Sequence, residues 1–377
     1  MKTKETKYQP NDHRNMGNPF TMDFGREPEE IIPRLKAMDE LVSAFVSEPP
    51  SQHIAMITGV RGSGKTVFMT SAARTISEQG NWIAVELSPE QDLLLSLVKK
   101  LADERTLSKL FQRTQINLSL FGVGLKVEGS SPVSDPEVAL DRMLESMKKH
   151  HKRLLITIDE VVNNQNMRVF ASIFQILLRK DLPVFLLMTG LFENIRALQD
   201  QKTLTFLYRA PRIALEPLNI GTMADSYQRI FNLERFQAIQ MAKQTRGYSF
   251  AFQLLGYYTW LHRTDPAKVH RLYKQHLSEY VYDKIWLEMT DKEHKVAAAI
   301  AEVPDGSIKE IRNLLGMETN QFNPYRMQLV RKGIANGNTY GKLTFTLPLF
   351  EEYVKKTHKT NESPGDSYQL THFHIFH

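Results

Sequence analysis

The sequence contains no cysteine among its 377 residues. Disulfide frameworks, thiolate zinc sites, iron–sulfur clusters and cysteine nucleophiles are therefore excluded together. Long apolar runs are also missing. The run Val184–Met188 is typical of the longest and is far shorter than the ~20 residues that a membrane-spanning helix needs. Residues 1–7 lack the apolar stretch of a secretory signal peptide. These absences predict a cytoplasmic protein with no membrane partner.

Neither sign of charge is in large excess. The 48 Lys and Arg residues against 42 Asp and Glu residues give a net charge of +6. A surplus this small permits an anionic partner without requiring one. A composition with 42% hydrophobic and 24% charged residues excludes wholesale disorder and a fibrous repeat. The length predicts two or three domains.

Short apolar runs alternate with amphipathic helical segments from about residue 30 to 215. The runs are His53–Thr58, Trp82–Leu87, Leu154–Ile158, Val184–Thr189 and Arg212–Leu215. Runs of this kind are typical of strands that are buried on both faces. Strands that are separated by helices predict a parallel sheet with helices on both sides. The predicted fold class is therefore α/β.

The rest of the chain predicts further units around this core. We assign 1–20 to a flexible N-terminal arm, 21–216 to the sheet core, 217–289 to an all-helical domain, 290–357 to a C-terminal domain and 358–377 to a tail. Within the core, two alternating stretches around a glycine turn predict a β-hairpin insertion at 115–128. The hairpin can be a packing element or a docking surface.

The strongest motif is a glycine-rich loop, G-x-x-x-x-G-K-[ST], directly after the first apolar run. Its members are Gly59, Val60, Arg61, Gly62, Ser63, Gly64, Lys65 and Thr66. Glycines let backbone N–H groups converge on a phosphate, and a helix that begins near Lys65 directs its positive end at the same anion. Lys65 is expected to contact the β- and γ-phosphates, and the Thr66 hydroxyl to bind Mg²⁺. The motif predicts ATP and Mg²⁺ as cofactors.

A second element of the predicted site is an apolar strand that ends in two carboxylates, Asp159 and Glu160. Asp159 is placed to hold the Mg²⁺ ion as a Walker B aspartate, and Glu160 to orient the attacking water. The alternative is that the pair only begins a helix. An intact Glu160 favours hydrolysis over nucleotide binding alone.

These motifs, with a later strand that ends in Thr189, resemble the AAA+ P-loop ATPases of the origin-recognition and replication-initiator group. The resemblance implies that Thr189 is a sensor residue at the γ-phosphate or the water, and that 217–289 is the helical lid. It also implies that Arg209 is an arginine finger, which reaches the nucleotide of a neighbouring subunit in a homo-oligomer or of a protein partner. Thr189 could instead cap the helix at Phe192, and Arg209 could be solvated or ion-paired.

The helical domain departs from the family pattern at one motif. Lid domains of this group usually carry G-x-P-R, whose arginine senses the γ-phosphate, whereas this chain reads Gly247-Tyr248-Ser249-Phe250. We therefore expect slow or partner-stimulated ATP hydrolysis. Upstream, residues 18–25 and 32–34 resemble the segment that wraps the adenine in this group.

The C-terminal residues carry the signals of three helices and a β-ribbon, which are typical of a winged helix. Thr290 with Glu293 and Ser307 with Glu310 form two capping boxes, and Asn323 is expected to cap the third helix. The third helix of a winged helix enters the major groove of DNA. The candidate DNA contacts are Tyr325, Arg326, Gln328, Arg331, Lys332 and Lys342.

The sequence therefore predicts an ATPase whose nucleotide state controls duplex DNA binding through a winged helix. The alternative is a regulatory P-loop ATPase whose winged helix docks a protein partner, because the mild basic excess of this domain does not decide between them. A metabolic kinase is disfavoured, since nothing resembles a small-substrate pocket.

Overall fold

The structure is a computed structural model that describes residues 17–23, 28–123, 125, 127, 130–263 and 265–362. The chain forms two compact units. The helical unit comprises Met1–Pro33 and Pro217–Leu277, and the sheet unit comprises Arg34–Glu216 and Ser278–His377. Residues 1–16 of the predicted arm, residues 24 and 25 of the adenine-like segment, and the predicted tail beyond 362 lie outside the described residues.

The sheet unit is built on five parallel strands. They are β1 (Ile54–Thr58), β2 (Trp82–Leu87), β3 (Arg153–Ile158), β4 (Val184–Gly190) and β5 (Arg212–Ala214), in the order β2-β3-β4-β1-β5. Each matches a predicted apolar run to within two residues, and the α/β prediction is confirmed. The order places the carboxyl ends of β3, β4 and β1 side by side at one edge of the sheet.

Helices cover both faces of this sheet. They are α1 (Leu35–Val46), α2 (Lys65–Ser77), α3 (Leu93–Asp103), α4 (Arg105–Arg113), α5 (Pro136–Lys149), α6 (Gln165–Arg179) and α7 (Phe192–Gln199). Successive residues of a strand enter opposite cores. Leu154 and Ile156 belong to one apolar cluster, whereas Leu155 belongs to the other. This two-sided burial explains why the strands are apolar throughout rather than alternating.

The predicted hairpin at 115–128 is not formed by the described residues of that range. A 3₁₀ helix, Ser119–Phe121, stands there, followed by Gly122 with φ 73°. One backbone hydrogen bond joins the N–H of Leu118 to the carbonyl of Leu125 at 2.9 Å. The apolar residues are buried in the core, so their alternation reflects packing of an irregular segment; they are Ile116, Leu118, Phe121 and Leu125. Residues 124, 126 and 128 lie outside the described residues.

The helical unit contains α8 (Ile220–Phe231), α9 (Arg235–Gln244), α10 (Ser249–Leu261) and α11 (Pro266–Leu277). Phe20, which we predicted to lie in a flexible arm, is buried in the core of this unit. Its ring stacks on Phe231 with the centroids 5.7 Å apart and meets Phe252 edge-on at 5.5 Å. The unit ends at Leu277, whereas the predicted helical domain extends to residue 289. The arm prediction was wrong for Phe20 because a large aromatic side chain gains free energy by leaving water.

The C-terminal segment, which we define as residues 278–362, belongs to the sheet unit. It consists of a π-helix (Ser278–Tyr282), α12 (Asp283–Leu287), α13 (Asp291–Glu302), α14 (Ile308–Leu315), α15 (Thr319–Arg331), the antiparallel pair β6 (Ala335–Asn336) and β7 (Thr344–Phe345), and α16 (Phe350–Glu362). Helix α15 begins earlier than predicted, because Glu318 and Gln321 form its capping box and Pro324 lies inside it. In the part of the chain that the structure describes, every helix is too short or too polar to span a lipid bilayer.

Candidate nucleotide-binding site

The glycine-rich loop joins β1 to α2, as predicted. Gly62 and Gly64 have φ values of 74° and 87°, a left-handed backbone conformation that other residues rarely adopt. A Cβ at Gly59 would lie 2.5 Å from Oγ of Ser63, so a larger residue there would force the Ser63 side chain to move. Gly64 caps α2 without a side-chain acceptor, which leaves the first turn of the helix directed at the loop. The loop therefore has the geometry of an anion cradle.

Lys65 lies under this loop with only 9% of its surface exposed. Its Nζ donates hydrogen bonds to the carbonyl oxygens of Gly59 at 3.1 Å and Val60 at 3.2 Å. Burial lowers the pKa of Lys65 to about 8, although the nearby Asp159 carboxylate opposes that shift. The side chain is a partly desolvated cation that a phosphate would stabilise.

Thr66, Asp159 and Thr189 form one hydrogen-bonded group at the edge of the sheet. The Thr66 hydroxyl donates to Oδ2 of Asp159 at 2.7 Å, and the Thr189 hydroxyl donates to Oδ1 of the same carboxylate. Thr189 is completely buried, and α7 has no side-chain cap, so Thr189 does not cap that helix. The structure brings Thr189 to Asp159 and hydrogen-bonds its hydroxyl to that carboxylate.

Glu160 follows Asp159 in a left-handed conformation with φ 49°. Its backbone N–H donates to Oδ1 of Asp159 at 3.0 Å and to the Thr189 hydroxyl at 3.2 Å. The Glu160 side chain is 76% exposed and extends beyond the sheet edge, with Oε1 4.0 Å from Nη1 of Arg61. The two predicted carboxylates therefore have different surroundings. Asp159 accepts hydrogen bonds from two hydroxyl groups, and Glu160 is solvated.

Two charged residues at the P-loop were not identified from the sequence. Arg34 donates from Nη2 to the carbonyl of Ser63 at 2.9 Å and to that of Glu216 at 3.1 Å. Glu288 accepts a 2.6 Å hydrogen bond from Arg61. The sequence places Arg34 in residues 32–34 of the adenine-like segment, but nothing in it indicates the contact with Ser63. Glu288 is 227 positions from its partner and carried no local signal.

Arg209 lies apart from this group. It ends the 3₁₀ helix Thr205–Arg209, is exposed, and precedes β5. The first residue of β5, Arg212, pairs with Met56, whereas the P-loop follows the carboxyl end of β1 at Thr58. Arg209 therefore lies at the opposite edge of the sheet from the P-loop of its own chain. Its use as an arginine finger toward another subunit stays a prediction.

The candidate DNA contacts on α15 are differently placed. Gln328 is exposed and Tyr325 is partly exposed. The Arg326 guanidinium donates to the carbonyl of Gly337 at 3.2 Å and so holds the ribbon. The Arg331 guanidinium lies 5.9 Å from the ring centroid of Phe192, the first residue of α7. Arg326 is therefore held by a contact within the chain, whereas Arg331 is exposed and lies near an aromatic ring.

The two candidate lysines also have acidic partners. Lys332 is only 12% exposed, and its Nζ lies 2.8 Å from the buried carboxylate of Glu293 and 3.2 Å from that of Glu193. Lys342 donates to the carbonyl of Asp305 at 2.9 Å. Lys332 is thus a buried ion-pair residue in this structure, not an open phosphate contact, because the burial of Glu293 requires a counter-charge.

The residues of the loop and strand end fit a magnesium nucleotide. A hydroxyl and a carboxylate, from Thr66 and Asp159, are the hard oxygen ligands that Mg²⁺ prefers, and the carboxylate is fixed by a second hydroxyl. Lys65 and the amino end of α2 supply the positive charge that phosphates need. Bound Mg²⁺ would neutralise charge on the phosphate oxygens.

The parallel sheet, the P-loop and the acidic strand end form an α/β fold that is also found in known ATPases. Among solved structures, the chain is similar to the Walker-type ATPase PABY2304 of Pyrococcus abyssi, with a TM-score of 0.60, 13% identity, and coverage of 87% of this chain and 97% of that one. It is also similar to the ORC2 protein of Aeropyrum pernix in ADPNP–ADP complexes, with a TM-score of 0.57, 13% identity, and coverage of 90% and 96%.

Sequence comparisons add one match. Residues 279–354 match the model of a domain of unknown function (DUF8462), a range that nearly coincides with the C-terminal segment. No curated protein matches the sequence.

Proposed function

We propose that the chain binds and hydrolyses ATP with Mg²⁺, and that its nucleotide state controls duplex DNA binding through the C-terminal segment. The observation that carries the nucleotide part is the group formed by Thr66, Asp159 and Thr189 beside the buried Lys65. A glycine loop alone would suggest an anion site. The fixed carboxylate beside the loop hydroxyl adds the metal-binding function that triphosphate chemistry needs.

Each residue of the site has a distinct part in this function. Lys65 binds the phosphates as a cation, and Thr66 and Asp159 hold the metal ion. Glu160 is the solvated carboxylate at the strand end, and it accepts hydrogen bonds from the attacking water and takes up its proton. Thr189 keeps the Asp159 carboxylate in one orientation. We expect hydrolysis to be slow unless a partner stimulates it, because Phe250 occupies the position at which the lid arginine of such ATPases is expected.

The DNA part of the proposal is supported by the order of the elements in the C-terminal segment. Three helices followed by a two-stranded ribbon are the order of elements expected of a winged helix, in which α15 would be the helix for the major groove. Gln328 is exposed on that helix, and Arg331 lies at its end.

The test is the affinity for a labelled DNA duplex with ATP, with ADP and without nucleotide, at two salt concentrations. We expect binding that weakens with salt and differs between nucleotide states by at least about tenfold, a coupling of about 1.4 kcal/mol. The control is Lys65→Ala, which should remove the difference. Equal affinities in all three states would reject nucleotide control, and no salt-dependent binding would reject the DNA part.

A second candidate function is a regulatory ATPase whose C-terminal segment binds a protein. It is favoured by the intramolecular contacts of Arg326 and Lys332, two predicted DNA contacts that bond instead to the Gly337 carbonyl and to acidic side chains of the chain. Absence of duplex binding in every nucleotide state, together with normal ATP hydrolysis, would favour this function.

A further inference from the structure

The C-terminal segment contacts the P-loop through an ion pair. Arg61 is the third residue of the glycine-rich motif, and Glu288 directly follows α12. Nη2 of Arg61 lies 2.6 Å from Oε1 of Glu288, a distance typical of a charge-assisted hydrogen bond. Arg61 is 29% exposed and Glu288 is 39% exposed, so the pair is at the edge of solvent rather than deep in a core.

Further contacts join the segment to the same edge of the sheet. Lys332 lies 3.2 Å from the carboxylate of Glu193, at the start of α7. Gly333 lies against the P-loop, because a Cβ at this glycine would be 3.6 Å from Cβ of Val60. A small cleft remains between the loop and the segment, lined on one side by residues of the P-loop and on the other by Ile334 and its neighbours.

The charges at this contact are arranged so that it can open. When Lys332 leaves Glu193, it keeps Glu293 as its partner, and Glu293 is the carboxylate that is 1% exposed. Glu193 is 47% exposed and Glu288 is 39% exposed, so water can solvate both after separation. Opening the contact therefore leaves no buried charge without a counter-charge, which is the costly outcome for an ion pair.

The contact also competes with the ligand of the site. The Arg61 guanidinium lies between Glu288 and Glu160, at 2.6 Å and 4.0 Å from their oxygens. Phosphates bound by this loop would bring several negative charges near Arg61, whereas Glu288 offers one. The attraction of a cation grows with the charge of its partner at a similar distance. The nucleotide phosphates and the Glu288 carboxylate therefore compete for the Arg61 guanidinium.

We propose that Arg61–Glu288 and Lys332–Glu193 form a latch that holds the C-terminal segment on the P-loop, and that a bound nucleoside triphosphate opens it by drawing Arg61 away from Glu288. The proposal rests on the proposed function, because the competing anion is the nucleotide of that site. Opening exposes to a partner the face of the segment around Lys332 and Ile334, which are 12% and 2% exposed while the latch is closed. The latch couples the P-loop to the partner surface within one unit of the fold.

The absence of cysteine makes a direct test practical. In the double variant Val60→Cys/Gly333→Cys, the two introduced thiols are the only ones in the chain. A Cβ–Cβ distance of 3.6 Å is close to the ~3.8 Å of native disulfides. The rate of disulfide formation in mild oxidant then reports how often the segment lies on the P-loop. Single-cysteine variants show the intermolecular background, and circular dichroism checks folding, since Gly333 has φ 77°.

The expected results distinguish the latch from the proposed function. Without nucleotide, Glu288→Gln in this background should slow disulfide formation about threefold, the effect of losing one partly exposed ion pair. The matched control Glu302→Gln, an exposed carboxylate of α13, should not. Mg²⁺ with a non-hydrolysable ATP analogue should slow the reaction at least about tenfold. Nucleotide binding to the double variant is measured separately by calorimetry.

Each failure has a separate meaning. An unchanged rate in Glu288→Gln rejects the latch whether or not nucleotide binds. Calorimetric binding of the analogue with an unchanged disulfide rate rejects its opening by nucleotide. Absence of nucleotide binding to the unaltered chain rejects the proposed function.

If the double variant does not fold, amide hydrogen exchange of the unaltered chain gives the same answer. Residues 285–289 should then exchange faster with the analogue than without it. Unchanged or slower exchange in the presence of bound analogue would overturn the proposal.

Discussion

Arg34 holds the P-loop by the carbonyl oxygen of Ser63, to which its Nη2 donates at 2.9 Å. The same guanidinium binds the carbonyl of Glu216 at 3.1 Å, so its orientation is fixed from two sides. The Ser63 carbonyl and the Gly64 N–H belong to one planar trans peptide and point in opposite directions. Arg34 therefore turns the Gly64 N–H toward the other side of the loop, where phosphates are expected.

Replacing Arg34 by glutamine should weaken ATP binding about tenfold, because hydrogen bonds to charged groups contribute about 1.5–3 kcal/mol and their loss frees the Ser63 peptide. Burial lowers the pKa of Arg34 to about 10, so the group is still a cation at neutral pH. The measurement is the Kd for a fluorescent ATP analogue. Lys36→Gln, which removes a 91% exposed cation of α1, is the control and should bind normally. Equal Kd values for both variants would contradict a role of Arg34 in shaping the loop.

Thr189 orients the Asp159 carboxylate from the neighbouring strand. Thr189→Val keeps the size of the side chain but removes the hydroxyl that donates to Oδ1. We expect kcat for ATP hydrolysis to fall about tenfold, in the range seen when residues that orient a metal ligand are lost. The Kd for ATP should change much less. Thr189→Ser retains a hydroxyl and should retain most of the activity. Equal kcat values for Thr189→Val and Thr189→Ser would show that the hydroxyl does not orient the carboxylate.

Glu160 and Asp159 differ in what they can do, because one is solvated and the other is held by two hydroxyl groups. Glu160→Gln should therefore leave ATP binding intact and lower the single-turnover hydrolysis rate by about 10²-fold or more, the usual contribution of a general base. Glu40→Gln, an exposed carboxylate of α1, is the control for charge. Normal hydrolysis in Glu160→Gln would assign the base to another residue.

Much of this site could be predicted because its residues are close in sequence to strand ends. Lys65 and Asp159 follow apolar runs whose two-sided burial makes them recognisable, and parallel strands place their carboxyl ends at one edge. Glu288 could not be predicted. Its role depends on where α12 lies after folding, and neither periodicity nor a local motif records that position.

Tertiary packing also explains two other differences between the sequence predictions and the structure. The spacing of Leu118 and Leu125 predicts paired strands, but the segment satisfies its burial by packing on the core, with one backbone hydrogen bond between the two residues. The sequence predicts Lys332 as an open phosphate contact at the end of a helix. It lies instead on a buried carboxylate, because tertiary packing brings Glu293 beside it.

The pKa of Lys65 predicts how nucleotide affinity depends on pH. In the free protein this pKa is lowered to about 8, mainly by burial, so the ammonium form dominates at pH 7 and is lost as the pH rises through 8. Phosphates bind the charged form. The Kd for the ATP analogue should therefore be constant below pH 7 and rise above pH 8, by up to about tenfold per pH unit. Calorimetry in two buffers should show proton uptake on binding at pH 8.5. Lys65→Arg, which stays charged, should lose this dependence, and a flat profile in the unaltered chain would contradict the shift.

Gly256 is a position where the helical unit has no room for one added methyl group unless Phe20 moves. A Cβ at this residue of α10 would lie 2.5 Å from ring atoms of Phe20, which is itself buried against Tyr227 and Phe252. Gly256→Ala should therefore destabilise the unit by about 1–3 kcal/mol through overpacking, despite the better helix propensity of alanine. Gly17→Ala, with nothing within 4 Å of the added Cβ, is the control and should be neutral. Thermal unfolding of both variants measures the difference. Similar stability in both would mean that residues 17–20 do not pack on the helices in solution, as a flexible arm requires.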